Sequence, residues 1–328
     1  MSSTIAARRN WRYWLGILLG LVCIGWLAYS VEWSEVGTAL REMNYWWVLA
    51  ATLLNLASVP LRALRWRLMF RKFRPPAFGR MIRAMLIGQS VNVLVPARVG
   101  DLVRASLVTA GSTSYVLGTL VVEISLDLLM LAALVVLLLS HVTLPVWWQG
   151  SGQALLVTAA GALVVVAVLV IARKRLARVL GLLQNRWKQP LVQRVLGGGG
   201  QALHSLDVLG RPALLAALGC SLLIWVVYAS VNYVLLGAIT DGPPVLAALF
   251  LLAVLQLGVA VPSSPGRIGV YHYLCIQALA VFAIGDARAV SYAVVLHLIS
   301  VVMPMVLGAA LAWQLGVSLW PRPKQMEV

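Results

Sequence analysis

Three observations predict an all-α, polytopic membrane fold. The 328 residues are 61% hydrophobic and 11% charged, whereas a soluble domain is nearer half apolar and a quarter charged. The apolar runs reach about 20 residues, enough for a helix to cross a bilayer, and they do not alternate as barrel strands do. One pattern also occurs twice inside apolar sequence: Pro96-Ala97-Arg98-Val99-Gly100 and Pro265-Gly266-Arg267-Ile268-Gly269. Helix breakers and a charge at membrane depth are expensive, and paired breaks are the sequence mark of a transporter built from repeats. The prediction is about six full membrane helices plus two broken, re-entrant hairpins arranged as inverted repeats in one integral domain.

The first element follows Arg8, Arg9 and Arg12. The run Tyr13–Val31 is longer than a signal-peptide core and has no convincing cleavage site, so it reads as an uncleaved helix. Further spans are expected near 46–64, 115–139, 152–172, 212–238 and 289–313. Residues 81–113 and 245–286 each hold two half-length apolar segments separated by a break. Repeat A covers about 46–139 and repeat B about 212–313. Between them, 173–211 is basic and partly amphipathic, with Leu176, Val179, Leu180 and Leu183 at helical spacing. It reads as a helix on an anionic membrane surface, followed by the joint Gly197–Gly200.

Charge orients these elements. The net charge of +16 comes from basic clusters between spans, so the positive-inside rule accounts for it before nucleic-acid binding does. Arg62, Arg65, Arg67, Arg71, Lys72, Arg74, Arg80 and Arg83 are assigned to one cytoplasmic loop. The segment from Arg173 to Arg211 and both termini are cytoplasmic as well. Glu32, Glu35, Glu42, Asp241 and Asp286 then fall in outer loops. This topology, expected for an inner (cell) membrane, makes hairpin 81–113 enter from inside and 245–286 from outside.

Chemistry is expected at the breaks. Pro96 ends the incoming helix and Gly100 permits a reversal. A helix starting near Gly100, with Arg98, Arg104 and Asn92, would make an anion site suited to phosphate. The rival reading is that Arg98 pairs with Asp101, Glu123 or Asp127 and only holds the hairpin. In the second break, Pro262, Pro265, Gly266 and Gly269 forbid a continuous helix. Ser263 and Ser264 can cap or bond a ligand, Arg267 carries the charge, and His272 stands beside it. Here the rival is a loop in which Arg267 snorkels. Glu123 and Asp127 lie four apart on one helix face, where pairing with Arg98 or Arg104 is the first expectation. His297 reads as a core histidine. The cysteines Cys23, Cys220 and Cys275 and the scattered histidines form no metal motif, and there is no cofactor fingerprint or catalytic triad. No metal, cofactor or catalytic residue is expected.

The order Asn92, Pro96-Ala97-Arg98-Val99-Gly100-Asp101, Arg104, Glu123, Asp127, Pro262-Ser263-Ser264-Pro265-Gly266 and Gly269-Val270 resembles the flippase-like family named for the transmembrane domain of lysylphosphatidylglycerol synthases. The likeness covers about residues 12–315. Family members usually have a second glycine where Arg267 stands, a glutamate near His272 and a glutamate at Asp101. The resemblance implies translocation of a phosphate-bearing lipid, either a phospholipid or a lipid-linked sugar. Arg98 and Arg267 would bind the phosphate, and Asp101, Glu123 and Asp127 would poise the charge. The sequence ends shortly after the last span, so aminoacylation by this chain alone is not expected. Two other expectations stand beside transport. One is a lipid-binding subunit that scaffolds a soluble transferase of envelope or glycolipid synthesis. The other is an intramembrane lipid-modifying enzyme using His272.

Overall fold

The computed structural model describes residues 32–70, 75–94, 99–108, 113–141, 210–258 and 265–316, with scattered helical positions in 18–29 and 161–183. The expected spans 13–31 and 152–172, and the amphipathic segment 173–211, lie wholly or mostly outside the described residues. Everything described is helix, turn or connecting coil, without strands.

Helix α1 (Trp33–Glu42) occupies a stretch assigned to an outer loop by its glutamates. It docks on a later helix through Val36, whose carbonyl accepts from Ser291 Oγ at 3.3 Å. Helix α2 (Tyr45–Leu68) starts at Asn44, whose side chain accepts from the Trp46 amide at 3.1 Å. It contains Pro60 and continues four residues past the expected end at 64. That extension carries Arg65 and Trp66 into the protein, which corrects the loop assignment of Arg65.

The first broken element is a helical hairpin, α3 (Phe78–Leu94) and α4 (Val99–Leu107). The two arms pack together at glycines. A Cβ on Gly100 would collide with the Gly88 carbonyl, and one on Gly88 would press on the Gly100 carbonyl. Helix α5 (Thr113–Leu139) follows. The later part comprises α6 (Gly210–Leu236), α7 (Val245–Gly258), a 3₁₀ turn (Pro265–Arg267) and α8 (Val270–Ala280). Then come α9 (Asp286–His297), a π segment (Leu298–Val302) and α10 (Met303–Gln314). Helices α7 and α8 form the second hairpin.

Four described helical stretches are long and apolar enough to cross a membrane: Tyr45–Leu68, Gly118–Leu139, Pro212–Leu236 and Asp286–Gln314. They coincide with four of the six expected spans. Packing runs between the halves of the chain. Helix α2 lies along α6, α3 along α10, and α7 against α5. The α3–α10 approach is also close, because a Cβ on Gly308 would strike the Leu86 carbonyl and Ser90 Oγ. That hydroxyl lies 2.7 Å from the Met305 carbonyl and 3.1 Å from that of Leu86.

Two apolar clusters form the core. The larger joins α6 to α9 with the end of α5 (Leu131, Val135, Leu138). The smaller gathers the end of α2 (Ala63, Trp66, Met69), the start of α3 (Met81, Met85), and parts of α4, α5 and α6. The polar site is set against this smaller cluster.

Candidate functional site

Arg65 is 1% exposed, and a buried charge needs partners. It finds them on two other helices. Its Nη1 donates to Asp127 Oδ1 at 2.6 Å and to Ser221 Oγ at 3.0 Å. Its Nη2 donates to Glu123 Oε1 at 3.0 Å and Asp127 Oδ2 at 3.1 Å. The planar guanidinium thus clasps both oxygens of Asp127, a geometry a lysine cannot supply. Glu123 uses its other oxygen to accept from Arg104 Nη2 at 2.7 Å. The Arg104 guanidinium sits 4.6 Å from the centroid of the Trp66 ring, within cation–π range. Trp66 is fixed in turn by its Nε1, which donates to Thr119 Oγ1 at 2.8 Å.

The i, i+4 spacing on α5 places both carboxylates on one face, so helices α2, α4, α5 and α6 meet at a single network. The Glu123 side chain is 6% exposed and that of Asp127 is 43% exposed. One end of the network is sealed and the other is partly exposed. The Nε atoms of Arg65 and Arg104 are buried without a partner among the described residues.

Of the two partners expected for Glu123 and Asp127, Arg104 takes Glu123. The clasp on Asp127 comes from Arg65, which had been placed in a loop. The sequence around it gave no sign of this, because basic residues at a helix end read as positive-inside anchors. Asp101 stays within the hairpin, accepting from Asn92 Nδ2 at 3.2 Å. Pro96 and Arg98 lie outside the described residues, as do Pro262, Ser263 and Ser264.

The second break has a different construction. Gly266, Arg267 and Gly269 have φ of 73°, 59° and 89°. Glycine adopts these values freely, whereas an arginine there costs about 1 kcal/mol. A glycine at this position in related sequences would remove that strain. His297, at the end of α9, donates from Nε2 to the Gly266 carbonyl at 2.7 Å. The rings of His272 and His297 stand 5.0 Å apart, and Tyr271 packs edge-on to His297 at 5.1 Å. Tyr271 and Ser300 share a hydrogen bond of 3.2 Å. Asn55 Nδ2 on α2 donates at 2.9 Å to the Ile299 carbonyl within the π segment, where the altered ladder frees backbone groups. His297 is therefore a buried histidine with a definite job: it ties the second break to α9. The turn Pro265–Arg267 also touches α3, so the two hairpins meet. No cluster of three metal-ligating side chains exists among the described residues.

Long apolar helices, two short-armed hairpins in contact and a buried arginine–carboxylate network define a polytopic helical membrane protein with a polar network in its interior. The sequence matches the family model described as the lysylphosphatidylglycerol synthase TM region over residues 13–308. The chain belongs to that family. It is also 31% identical to "Glycosyltransferase AglD" of Haloferax volcanii, across 93% of this chain and 54% of the relative. The chain thus spans about half the length of the curated relative it matches.

Proposed function

We propose that this protein moves a phosphate-bearing lipid, a phospholipid or a lipid-linked sugar, between the leaflets of the cell membrane. The observation that carries the reading is the contact between α3 and the turn Pro265–Arg267, where one interrupted hairpin meets the other. The arms are short. At 1.5 Å per residue, α3 is about 25 Å long, α4 about 14 Å, α7 about 21 Å and α8 about 17 Å, against roughly 30 Å of hydrocarbon. Short arms support hairpins that turn back inside the bilayer. The reciprocal packing of α3 on α10 and α7 on α5 supports two halves related by an inverted repeat.

In this reading the head group binds where the breaks meet. Arg98 and Arg267 hold the phosphate, with Asn92, Ser263, Ser264 and His272 as further polar contacts. Arg104, Asp101, Glu123 and Asp127 set the charge around it. The halves rock so that the site opens to each leaflet in turn, with both chain termini in the cytoplasm.

Reconstitution into liposomes with fluorescent phosphatidylglycerol tests the idea. Externally added dithionite is expected to bleach more than the outer-leaflet half of the label when the protein is present. Arg98→Ala combined with Arg267→Ala is expected to return bleaching to that half. Purified protein that scrambles no phospholipid or polyprenyl-phosphate probe overturns the proposal.

A second reading rests on the relative named as a glycosyltransferase. Here the chain is a lipid-binding membrane subunit that presents a lipid-linked sugar to a transferase. Stoichiometric co-purification with a soluble transferase, without lipid movement by the chain alone, distinguishes it.

A further inference from the structure

The four-residue network is electrically balanced: Arg65 and Arg104 against Glu123 and Asp127. Arg62 adds a positive charge beside it. It lies one helical turn before Arg65 on the same face of α2, half-buried, within electrostatic reach of Tyr228, Glu123 and Asp127. Both carboxylates are already taken by other arginines, and Arg62 forms no ion pair among the described residues. Its side-chain hydrogen bond is a long one, from Nη1 to Gln89 Oε1 at 3.4 Å. A guanidinium has five donors, so most of its capacity is unspent. With Arg62 counted, three guanidinium groups share two carboxylates, and an anion that docks there balances the one excess positive charge on a membrane-crossing helix.

The position is also functional in reach. Gln89 is on the first hairpin, three residues before Asn92 and five before the end of α3 at Leu94. Arg62 therefore bridges the long helix α2 to the arm that carries the first break. Helix α6 supplies Tyr228, a phenol with a donor of its own.

We propose that Arg62, supported by Gln89 and Tyr228, is a phosphate-binding subsite that takes a phosphate diester, singly charged, or a more highly charged monoester. The inference deepens the lipid reading above and rests on it for the source of that phosphate. The planar fork of arginine matches two phosphate oxygens at once, whereas the network beside it offers no free donor fork of its own. The subsite predicts selection for phosphate-bearing over neutral lipids.

The test is equilibrium binding to the full chain in phosphatidylcholine nanodiscs, read by tryptophan quenching. The probes are doxyl-labelled phosphatidylglycerol, a doxyl-labelled neutral glucosyl lipid and inorganic phosphate. Arg62→Gln is expected to weaken phosphatidylglycerol binding about tenfold, or about 1.4 kcal/mol, and to leave the neutral lipid unchanged. Arg62→Lys, which keeps the charge and loses the fork, is expected to fall between. Gln89→Leu keeps Arg62 intact and is expected to weaken binding two- to threefold, so it carries the test even if Arg62→Gln does not fold. An Arg62-dependent response to phosphatidylglycerol alone assigns a lipid phosphate, and one to inorganic phosphate as well assigns a soluble phosphate to the same subsite. Unchanged phosphatidylglycerol affinity in folded Arg62→Gln, or in Arg62→Lys and Gln89→Leu together, overturns the subsite. Arg62-dependent binding in a protein that scrambles nothing sinks the transport reading and leaves the subsite standing.

Discussion

The two hairpins have the same outline and opposite chemistry. The first closes glycine on glycine, Gly88 against Gly100, and leads into a network of four charged side chains. The second closes side chain on backbone, Leu274 against Gly258, and the described part of its break includes an imidazole–carbonyl bond beside a large apolar cluster. Charge in the first region demands a fixed geometry, because each arginine strongly penalises the loss of its partner. The neutral bonds of the second are worth less each, and a neutral contact separates at lower cost. The two regions thus differ in how firmly each holds its geometry, the first through charged pairs and the second through neutral contacts such as the His297–Gly266 bond.

Removing Glu123 attacks the contrast hardest. Glu123→Ala leaves Arg104 without its carboxylate and Arg65 with Asp127 alone. It is expected to destabilise the protein by about 3–5 kcal/mol, seen as a large drop in the thermal midpoint of the purified protein in detergent. A variant as stable as the parent would mean the network contributes no structural constraint.

The glycine pair comes next. Gly100→Ala forces a methyl group onto the Gly88 carbonyl and is expected to cost about 2 kcal/mol by overpacking. The matched change in the second hairpin, Gly258→Ala, meets only the tip of the Leu274 side chain, which can swing away. It is expected to stay within about 0.5 kcal/mol. Equal losses in the same denaturation assay would erase the distinction between the two closures.

An effect smaller than that of Gly100→Ala is expected at the second break. His297→Phe keeps a ring against Tyr271 and loses the bond to Gly266, a change of about 1 kcal/mol. Amide exchange across residues 266–270 should accelerate about fivefold while the first hairpin is unchanged. Acceleration in both hairpins would show that the breaks open as one unit.

Much of the architecture could be read from local sequence. The four described spans and both hairpins fall where hydropathy and the Pro/Gly breaks put them, since a bilayer imposes length and apolarity on each segment separately. The pairing of Glu123 followed from its position on an apolar helix, where a carboxylate must find a cation. Three features escaped. Helix α1 was hidden by its glutamates, Arg65 by the basic residues around it, and the tie from His297 to Gly266 by the 31 residues between them.

Arg65 shows where local reading ends. Composition and spacing are properties of one segment, and they were sufficient for the membrane class, the helical fold and the broken hairpins. Which of Arg62, Arg65 and Arg67 is sealed inside depends on carboxylates 58 and 62 residues beyond Arg65 along the chain. Only the packing of α2 against α5 and α6 brings them within 3.1 Å. A charge is placed by the energy of its surroundings, and those surroundings exist only once distant helices have met.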